Sequence, residues 1–539
     1  MRKIIFGVLI FSTLNLWIAP VGAAPARQDK TGTDGLPWWN DRVFYEVFVR
    51  AYADSDGDGN GDLKGLISKL DYLNDGDPAT TTDLGVTGLW LMPIMQSPSY
   101  HGYDITDYEQ IESNYGTNED FKQLVEEAHK RGIAVIIDMV LNHTSSEHPW
   151  FKDALTRGSE HDSWYVWSDT LPKYNGPWGE PVWNKGGDRY YYAVFYGGMP
   201  DLNYVNPDVT QTMYGVADFW LNDMGVDGFR LDAVKHIIED GTKQQNTPQT
   251  FDWLKAWDAH LKSVKPDVFT VGEVQNSSDI ASQYVPDSVD TVFEFDLASR
   301  MLDAARRGSA GRLPSIQQEV LDAYEPGQYS AFLTNHDQNR VMTELIRDFN
   351  KSKMAASLLL TQPGVPFIYY GEEIGMIGIK PDECIRTMLQ WDDTPLVAPF
   401  MEGKNCKTNQ DVANVAVETD DPASLLSHYR DLIHFRQAHP AMQTGDMTLL
   451  DSITGKVYSF IRHDDEETLL VVINLSDETV SDYALSAESS PLSATLSATV
   501  VFGEGEPATP MVEAEGGFSG YQPLSKLAPY STTIIRLQK

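Results

Sequence analysis

Short apolar runs rich in β-branched and aromatic residues recur along most of the chain, and stretches with helical spacing separate them. Strands that alternate with helices are typical of a parallel sheet. The pattern predicts an α/β fold, an eight-stranded (β/α)8 TIM barrel, although alternation alone leaves a doubly wound open sheet as the alternative. The eight predicted strands are Val43–Val49, Val86–Met92, Ile133–Val140, Val226–Leu231, Val268–Gly272, Thr291–Phe295, Tyr329–Thr334 and Pro366–Tyr370.

Two breaks in this pattern predict further units. An aromatic stretch rich in Gly and Pro follows the third strand and is longer than an ordinary loop between a strand and a helix. After His439-Pro440 the helical spacing stops and alternating strands begin, as in Val457–Arg462, Leu469–Leu475 and Ser531–Leu537. We therefore predict a barrel in two parts (36–142 and 207–442), an inserted subdomain after strand 3 (143–206) and a C-terminal antiparallel β-sandwich (443–539).

The N-terminus has the form of an export signal. Arg2 and Lys3 precede an apolar stretch, and Val21-Gly22-Ala23 is a small-residue cleavage site. A membrane anchor is the alternative, but the apolar stretch is short and Ser12 interrupts it. We predict that residues 1–23 are a signal peptide and that the protein is secreted, to the extracellular space or the periplasm.

Charge and cysteine content narrow the choice of partners and compartment. The formal net charge of −37 argues against nucleic acid and anionic membranes as partners. We expect a monomer that binds neither. Cys384 and Cys406 are the two cysteines. In an oxidising compartment they could form one disulfide, with two free thiols as the alternative.

Three acidic residues stand directly after predicted strands, where a β/α barrel places its active site. Asp232 follows the fourth strand, Glu273 the fifth and Asp337 the seventh. Hydrolysis of a glycosidic bond needs one ionised carboxylate at the anomeric carbon and one protonated carboxyl at the leaving oxygen. Arg230 shares the face of Asp232 because side chains alternate along a strand, and we expect its charge to keep Asp232 ionised.

Four segments around these acids resemble the motifs of glycoside hydrolase family 13, the α-amylase family. They are Asp138–His143, Gly228–His236, Gly272–Val274 and Thr334–Asp337. The resemblance covers nearly all of the mature length. It implies that Asp232 is the nucleophile, Glu273 the general acid/base and Asp337 the stabiliser of the transition state.

The resemblance also implies a set of substrate-binding residues. Tyr103 would stack on the sugar whose bond is cut, and Asp104 is a residue type that grips the chain end in exo-acting members. Ala233, directly after the nucleophile, resembles α-1,4-acting members. Met199–Asn203 resembles the intermediate subfamily between oligo-1,6-glucosidases and neopullulanases. The complete predicted set is Tyr103, Asp104, His143, Arg230, Lys235, His236, His336 and Arg340.

An acidic loop near the N-terminus is a candidate metal site. Oxygen-bearing side chains alternate there, with glycines between them that let the chain wrap, an arrangement that suits a hard cation such as Ca²⁺. A solvated acidic turn is the alternative. The family resemblance implies a structural Ca²⁺ held by the side chains of Asp54, Asp56, Asp58 and Asp62 and the carbonyl of Asn60.

Together these observations predict a retaining, endo-acting α-amylase that cuts α-1,4-glucosidic bonds of starch, maltooligosaccharides or related α-glucans. The first alternative is an exo-acting α-glucosidase or a relative resembling cyclomaltodextrinases and neopullulanases, which Asp104 favours. The second is a catalytically silent carbohydrate-binding protein, against which the complete set of three acids argues.

Overall fold

Eight parallel strands form a closed barrel at the centre of the computed structural model. The structure describes residues 32, 35–394, 397–406, 414–493 and 497–538, so the predicted signal peptide lies outside the described residues. The first strand pairs with both the second and the eighth, which rules out the open sheet. The barrel strands are β1 (Phe44–Val47), β2 (Gly88–Leu91), β3 (Ala134–Met139), β4 (Gly228–Leu231), β5 (Phe269–Gly272), β6 (Thr291–Phe293), β7 (Tyr329–Ala331) and β8 (Val365–Tyr369).

Aromatic side chains fill the inside of the barrel. Phe44 stacks on Phe367 with ring centroids 4.7 Å apart, and Phe269, Phe293 and Trp90 belong to the same buried cluster. Every residue of the eight barrel strands is buried, because side chains fill the interior and helices cover the outside. Because the interior is filled by apolar side chains, polar side chains can come together only at the ends of the strands, and barrels of this kind place their active sites at the carboxyl ends.

Amphipathic helices surround the barrel. The helix Asn118–Lys130 shows how they form: a capping box at Thr117 starts it, and it buries Phe121, Leu124, Val125 and Ala128 at helical spacing. The helix Pro207–Asp218 continues as a π-helix, Phe219–Asp223. The other helices are Leu63–Ser68, Leu70–Leu73, Pro248–Val264, Ser278–Ala281, Phe295–Arg307, Leu313–Ala323, Val341–Glu344, Phe349–Thr361, Asp382–Ile385, Val415–Thr419, Leu425–Ala438 and Pro440–Gln443.

The segment between β3 and the helix Pro207–Asp218 has its own small sheet. Strands Trp167–Ser168, Arg189–Tyr192 and Trp183–Gly186 are antiparallel, and the helix Pro149–Ala154 precedes them. An isolated bridge between His143 and Asp201 joins the start of this segment to its end. The segment therefore leaves the barrel and returns to it at the same rim.

The C-terminal region forms two antiparallel sheets that share one hydrophobic core, which includes Ile461, Leu485 and Phe518. This arrangement confirms the predicted fold class. Within the described residues, no helix is both long and apolar enough to cross a membrane. The larger sheet has the order Asp446–Leu449, Val457–His463, Thr468–Asn474, Ser531–Gln538 and Ser497–Phe502, and the smaller has Asp451–Ser452, Leu485–Ala487 and Phe518–Tyr521.

Cys384 and Cys406 form a disulfide, which decides between the two alternatives that the sequence left open. Cys384 lies in the short helix Asp382–Ile385, next to Arg386. The bond closes a loop of sequence separation 22 that includes Arg386, whose guanidinium donates to Asp337 Oδ1. The disulfide lowers the conformational entropy of the unfolded chain, and this raises the free energy of unfolding.

We predict that Cys406→Ser lowers the thermal midpoint of unfolding, because a disulfide that closes a loop of this size contributes about 3 kcal/mol. Differential scanning fluorimetry of the variant and of the wild type, each with and without a reductant, measures the change. The reduced wild type serves as the matched control and should unfold at the temperature of the variant. A wild-type midpoint that a reductant leaves unchanged under unfolding conditions would contradict the prediction.

Candidate active site

Strand register brings the two principal acids together at one rim. Leu231, the last residue of β4, is paired with Gly272, the last residue of β5. Asp232 and Glu273 directly follow these two residues. Ala233 then takes a left-handed conformation with φ of 50°, which ends the strand sharply. Asp232 and Glu273 therefore lie side by side at the carboxyl ends of neighbouring strands.

The guanidinium of Arg230 holds three carboxylates at once. Its Nη1 donates to Asp138 Oδ1 at 2.8 Å and to Asp232 Oδ1 at 2.7 Å, and its Nη2 donates to Glu273 Oε2 at 2.6 Å. Arg230 and Asp138 are fully buried. Charge-assisted bonds of this length in a buried setting fix the orientation of both acids. Arg230 therefore lies among the acids and holds them, and its predicted contact with the sugar stays a prediction.

Burial is the largest influence on the pKa of Asp232. Burial raises the pKa of Asp232 to about 6, although Arg230 acts in the opposite direction. Asp138 and Asp337 add to the rise because their negative charges disfavour a further one. The charge of Arg230 acts in the direction that the sequence predicted, because it favours the ionised form of Asp232. Burial also raises the pKa of Glu273, which favours the protonated form that an acid catalyst needs.

The environment of Asp337 lowers its pKa, in contrast to the environments of Asp232 and Glu273. Burial would raise the pKa of Asp337, but the charges of His336 and Arg386 outweigh it and hold the pKa well below its usual range. His336 Nε2 lies 3.3 Å from Asp337 Oδ2, and Arg386 Nη2 donates to Asp337 Oδ1 at 2.8 Å. Burial would lower the pKa of His336, yet Asp337 and Glu46 raise it to about 10. Asp337 therefore stays ionised beside a charged imidazole.

Tyr103 connects the two groups of acids. Its hydroxyl donates to Asp138 Oδ2 at 2.9 Å and lies 2.6 Å from His336 Nε2. The tyrosine ring also stacks on the His336 ring, with centroids 5.6 Å apart. The structure thus brings Tyr103, Arg230 and His336 together with the three predicted acids in a single network.

Three residues of this network were missing from the predicted site. Glu46 contacts His336 Nδ1 at 2.5 Å, Asp138 bonds Arg230, and Arg386 bonds Asp337. Glu46 and Asp138 each place a carboxylate inside an apolar strand, a signal that the sequence contains. Arg386 lies in a loop far along the chain, and its sequence surroundings carry no comparable signal.

Four of the predicted substrate residues surround this network. His143 Nε2 lies 3.1 Å from the carbonyl oxygen of Tyr103, and Asp104 Oδ1 accepts from the hydroxyl of Ser97 at 2.7 Å. Lys235 Nζ donates to the carbonyl of Gln275 at 2.9 Å, close to Glu273 in the chain. His236 is buried, and its Nδ1 lies 2.8 Å from the carbonyl oxygen of Gln244.

Arg340, the last of the predicted substrate residues, is buried inside the protein. Its side chain is 2% exposed, and its guanidinium donates to the carbonyl of Tyr370 at 2.6 Å and to that of Ile385 at 2.8 Å. It also packs over the rings of Tyr369 and Tyr370. Arg340 therefore stabilises the loop after β8 from inside the protein, where a sugar has no access to it.

The acidic loop brings three of its predicted ligands together. Carboxylate oxygens of Asp54, Asp56 and Asp58 lie within 4.8 Å of one another, a donor set that fits a hard cation. Asp62 has other partners, since its Oδ1 accepts from the backbone N–H of Gly65 and caps the helix Leu63–Ser68. The side-chain oxygen of Asn60 accepts from Arg50, which leaves the carbonyl of Asn60 as the group predicted to face a metal.

Comparisons with known proteins agree with this geometry. Residues 46–445 match the family described as "Alpha amylase, catalytic domain". Alpha-amylase 3 of Dictyoglomus thermophilum is 41% identical over 455 residues, covering 82% of this chain and 86% of that protein. Oligo-1,6-glucosidase of Parageobacillus thermoglucosidasius is 31% identical over 528 residues, covering 82% of this chain and 91% of that protein.

A solved structure extends the similarity to the whole fold. The crystal structure of the α-amylase from H. orenii superposes with a TM-score of 0.81 at 42% identity, covering 92% of this chain and 99% of that one. The match over the catalytic domain, the closed barrel and the acids at its rim lead to one assignment. The chain belongs to the α-amylase family of glycoside hydrolases, family 13, and is a glycosidase.

Proposed function

We propose that the protein is a secreted, retaining, endo-acting α-amylase that hydrolyses α-1,4-glucosidic bonds of starch, maltooligosaccharides and related α-glucans. The observation that carries the proposal is the sharing of Arg230 between Asp232 and Glu273. The two terminal nitrogens of a guanidinium are bonded to the same carbon. The two carboxylates that they hold, one on each nitrogen, therefore lie close together. This closeness suits the separation of about 5–5.5 Å found in retaining enzymes better than the wider gap of inverting ones.

In the first step, Asp232 attacks the anomeric carbon and forms a covalent glycosyl-enzyme. Glu273 gives its proton to the leaving oxygen as the glycosidic bond breaks. Burial raises the pKa of Glu273, which favours the protonated form that this step requires. Asp337 stays ionised and can hold hydroxyls of the distorted ring while positive charge develops at the anomeric carbon.

In the second step, Glu273 acts as a base. It takes a proton from water, the water oxygen bonds to the anomeric carbon, and Asp232 leaves as a carboxylate. Two displacements at the same carbon return the product to the α-configuration. Arg230 keeps both acids in place through the cycle, because each of its two terminal nitrogens bonds to one of them.

Endo action is supported by the contacts of Asp104. The exo-acting alternative requires this carboxylate to grip a chain end. Asp104 Oδ1 instead accepts from the hydroxyls of Ser97 and Ser99, and its side chain is 16% exposed. An aspartate engaged within its own loop has less capacity left for a sugar hydroxyl. We further infer membership of the intermediate subfamily, from the segment Met199–Asn203.

The same proposal includes a structural Ca²⁺ at the acidic loop. Asp54, Asp56 and Asp58 would supply carboxylate oxygens, and Gly57 and Gly59 have positive φ values that let the loop wrap around a cation. A bound cation would offset the repulsion among the three carboxylates. The loop precedes the helix Leu63–Ser68, so its role would be to stabilise the fold beside β1.

We predict that the enzyme cleaves a maltoheptaoside whose non-reducing end is chemically blocked. Separation of the products by chromatography measures cleavage, and NMR of the fresh products should show the α-anomer. Glu273→Gln serves as the catalytic control, with an expected loss of about 10²–10⁴ in kcat because the proton donor is gone. Cleavage of only the unblocked substrate would favour the exo-acting alternative, and full activity of the variant would contradict the mechanism.

We predict that kcat/KM falls as the pH drops through about 6, since Asp232 must be ionised to attack and burial raises its pKa to that value. Asp138→Asn should move this fall in kcat/KM, the acidic limb of the pH profile, to lower pH. The substitution removes a negative charge that raises the pKa of Asp232, so Asp232 stays ionised in more acidic solution.

The measurement is kcat/KM against pH for wild type and variant. Asp258→Asn is the matched control, because Asp258 is also a buried acid but is paired with Lys262 on an outer helix, and its loss should leave the limb in place. A limb that moves to higher pH in Asp138→Asn would contradict the proposed electrostatics.

We predict that Ca²⁺ raises the thermal midpoint by several degrees, since a ligand at a hundredfold excess over its Kd stabilises the folded state by about 2.7 kcal/mol. Asp56→Asn should reduce that rise. Asp77→Asn is the control, because Asp77 lies in another exposed acidic turn and also accepts a backbone N–H. Scanning calorimetry with Ca²⁺ or a chelator measures the shift in thermal midpoint. An equal rise in Asp56→Asn and wild type would contradict a Ca²⁺ site at the acidic loop.

A further inference from the structure

A cavity next to the active site lies between the helix Phe295–Arg307 and the segment that follows β7. Its volume is about 590 Å³, which lies within the range of ordinary ligand cavities. Asp337 forms part of its wall, and the side chain of Asp337 is 44% exposed. The cavity therefore reaches the residue that, in the proposed mechanism, holds hydroxyls of the sugar at the cleavage point.

Basic side chains are concentrated around this cavity. Arg300, Arg306, Arg307 and Lys380 line it, although the whole chain has a formal net charge of −37. A second cavity, of about 840 Å³ between the barrel and the C-terminal sheets, has no lysine or arginine among its described lining residues. Its charged acids are Asp322, Glu325, Asp446, Asp451 and Glu488. The basic side chains are thus a local feature of the cavity at Asp337.

The positive charge of the helix Phe295–Arg307 is only partly compensated. Arg306 Nη2 and Arg307 Nε both donate to Asp303 Oδ1, at 3.0 and 2.8 Å, so two guanidinium groups share one carboxylate oxygen. Arg300 Nη2 donates to the hydroxyl of Ser299 at 3.4 Å, and Arg300 forms no ion pair within the described part of the chain. A negatively charged group in the cavity would meet this surplus of positive charge.

The remaining charged groups of the cavity have partners of their own. Glu344 Oε1 accepts from the side-chain amide of Asn339 at 2.9 Å, and Asp337 has the cationic partners already described. Lys380 Nζ lies 2.9 Å from Asp382 Oδ1. The charge that is left without a partner therefore lies on the helix side of the cavity, at Arg300.

Two buried polar atoms of the lining make no hydrogen bond to any described residue. They are the hydroxyl of Thr334, a residue that is 3% exposed, and Oε1 of Gln338. Buried polar groups are nearly always hydrogen-bonded, so atoms of this kind in a cavity indicate a polar ligand. A hydroxyl can donate or accept, and an amide oxygen accepts from a hydroxyl. A sugar unit supplies both kinds of partner.

We propose that this cavity binds a phosphate monoester carried by an α-glucan chain. Arg300 is the principal ligand of the phosphate, because the planar fork of a guanidinium matches the oxygens of a phosphate group. Thr334 and Gln338 bind hydroxyls of the sugar unit that carries the phosphate. The inference rests on the proposed function in taking an α-glucan as the substrate, and it extends the substrate class from neutral chains to phosphorylated ones.

The test uses a pool of phosphorylated maltooligosaccharides, from which a phosphatase prepares a neutral pool with the same chain lengths. Glu273→Gln serves as the background, so that isothermal titration calorimetry measures Kd for each pool without cleavage. Inorganic phosphate is titrated alone and distinguishes a phosphate on the glucan from the free ion. Arg300→Gln and Arg300→Lys are compared with Arg312→Gln, the matched control, which replaces an exposed arginine outside the cavity.

We expect the background protein to bind the phosphorylated pool about tenfold more tightly than the neutral pool, because charge-assisted hydrogen bonds to the phosphate are gained. Arg300→Gln should remove most of this preference. Arg300→Lys should keep part of it, since lysine retains the charge without the fork, and Arg312→Gln should keep all of it.

Equal Kd values for the two pools, or an undiminished preference in Arg300→Gln, would overturn the proposal. Inorganic phosphate that binds as tightly as the phosphorylated pool would also overturn it, since the glucan would then contribute nothing to binding. Failure of the wild type to cleave either pool would contradict the proposed α-amylase activity. The difference in Kd is measured without cleavage, so the two proposals fail separately.

Discussion

One buried guanidinium, that of Arg230, is the interaction on which the active site depends. It neutralises part of the charge of Asp138, Asp232 and Glu273, which lie in or directly after three neighbouring strands. Removing such a cation would leave several carboxylates buried and unpaired, a state that costs several kcal/mol. The network therefore ties three adjacent strands of the barrel to the position of the two principal acids, and the same contacts serve stability and catalysis.

The two sides of this network have different electrostatics because their cations are distributed differently. On the side of Asp232 and Glu273, one arginine serves three acids, and burial raises the pKa of both catalytic groups. On the other side, His336 and Arg386 both contact Asp337, and its pKa lies well below the usual range. The protein thus keeps Asp337 ionised while it leaves Glu273 able to carry a proton, which is the division of roles that glycoside hydrolysis requires.

The segment between β3 and the helix Pro207–Asp218 contacts the network of acids from outside the barrel, since His143 lies 3.1 Å from the carbonyl oxygen of Tyr103. It begins and ends at the same rim, joined by the bridge between His143 and Asp201. That anchoring is accompanied by ring contacts of Trp178 and Phe195 with His236. Segments that leave a rigid barrel at its carboxyl rim can vary without disturbing the strands, so differences in specificity within this family can arise there.

The sequence by itself determined the fold class and the three acids, because eight apolar runs and the positions directly after them are local patterns. Each predicted strand corresponds to a strand of the closed barrel. Closure of the barrel, the disulfide between Cys384 and Cys406, and the roles of Glu46, Asp138 and Arg386 were decided only by the tertiary structure. Arg340 shows the limit most clearly: its sequence position suggested a sugar contact, and folding buried it among backbone carbonyls. Likewise the raised pKa of Asp232 follows from burial and shared charge, which depend on distances in space that a linear pattern does not contain.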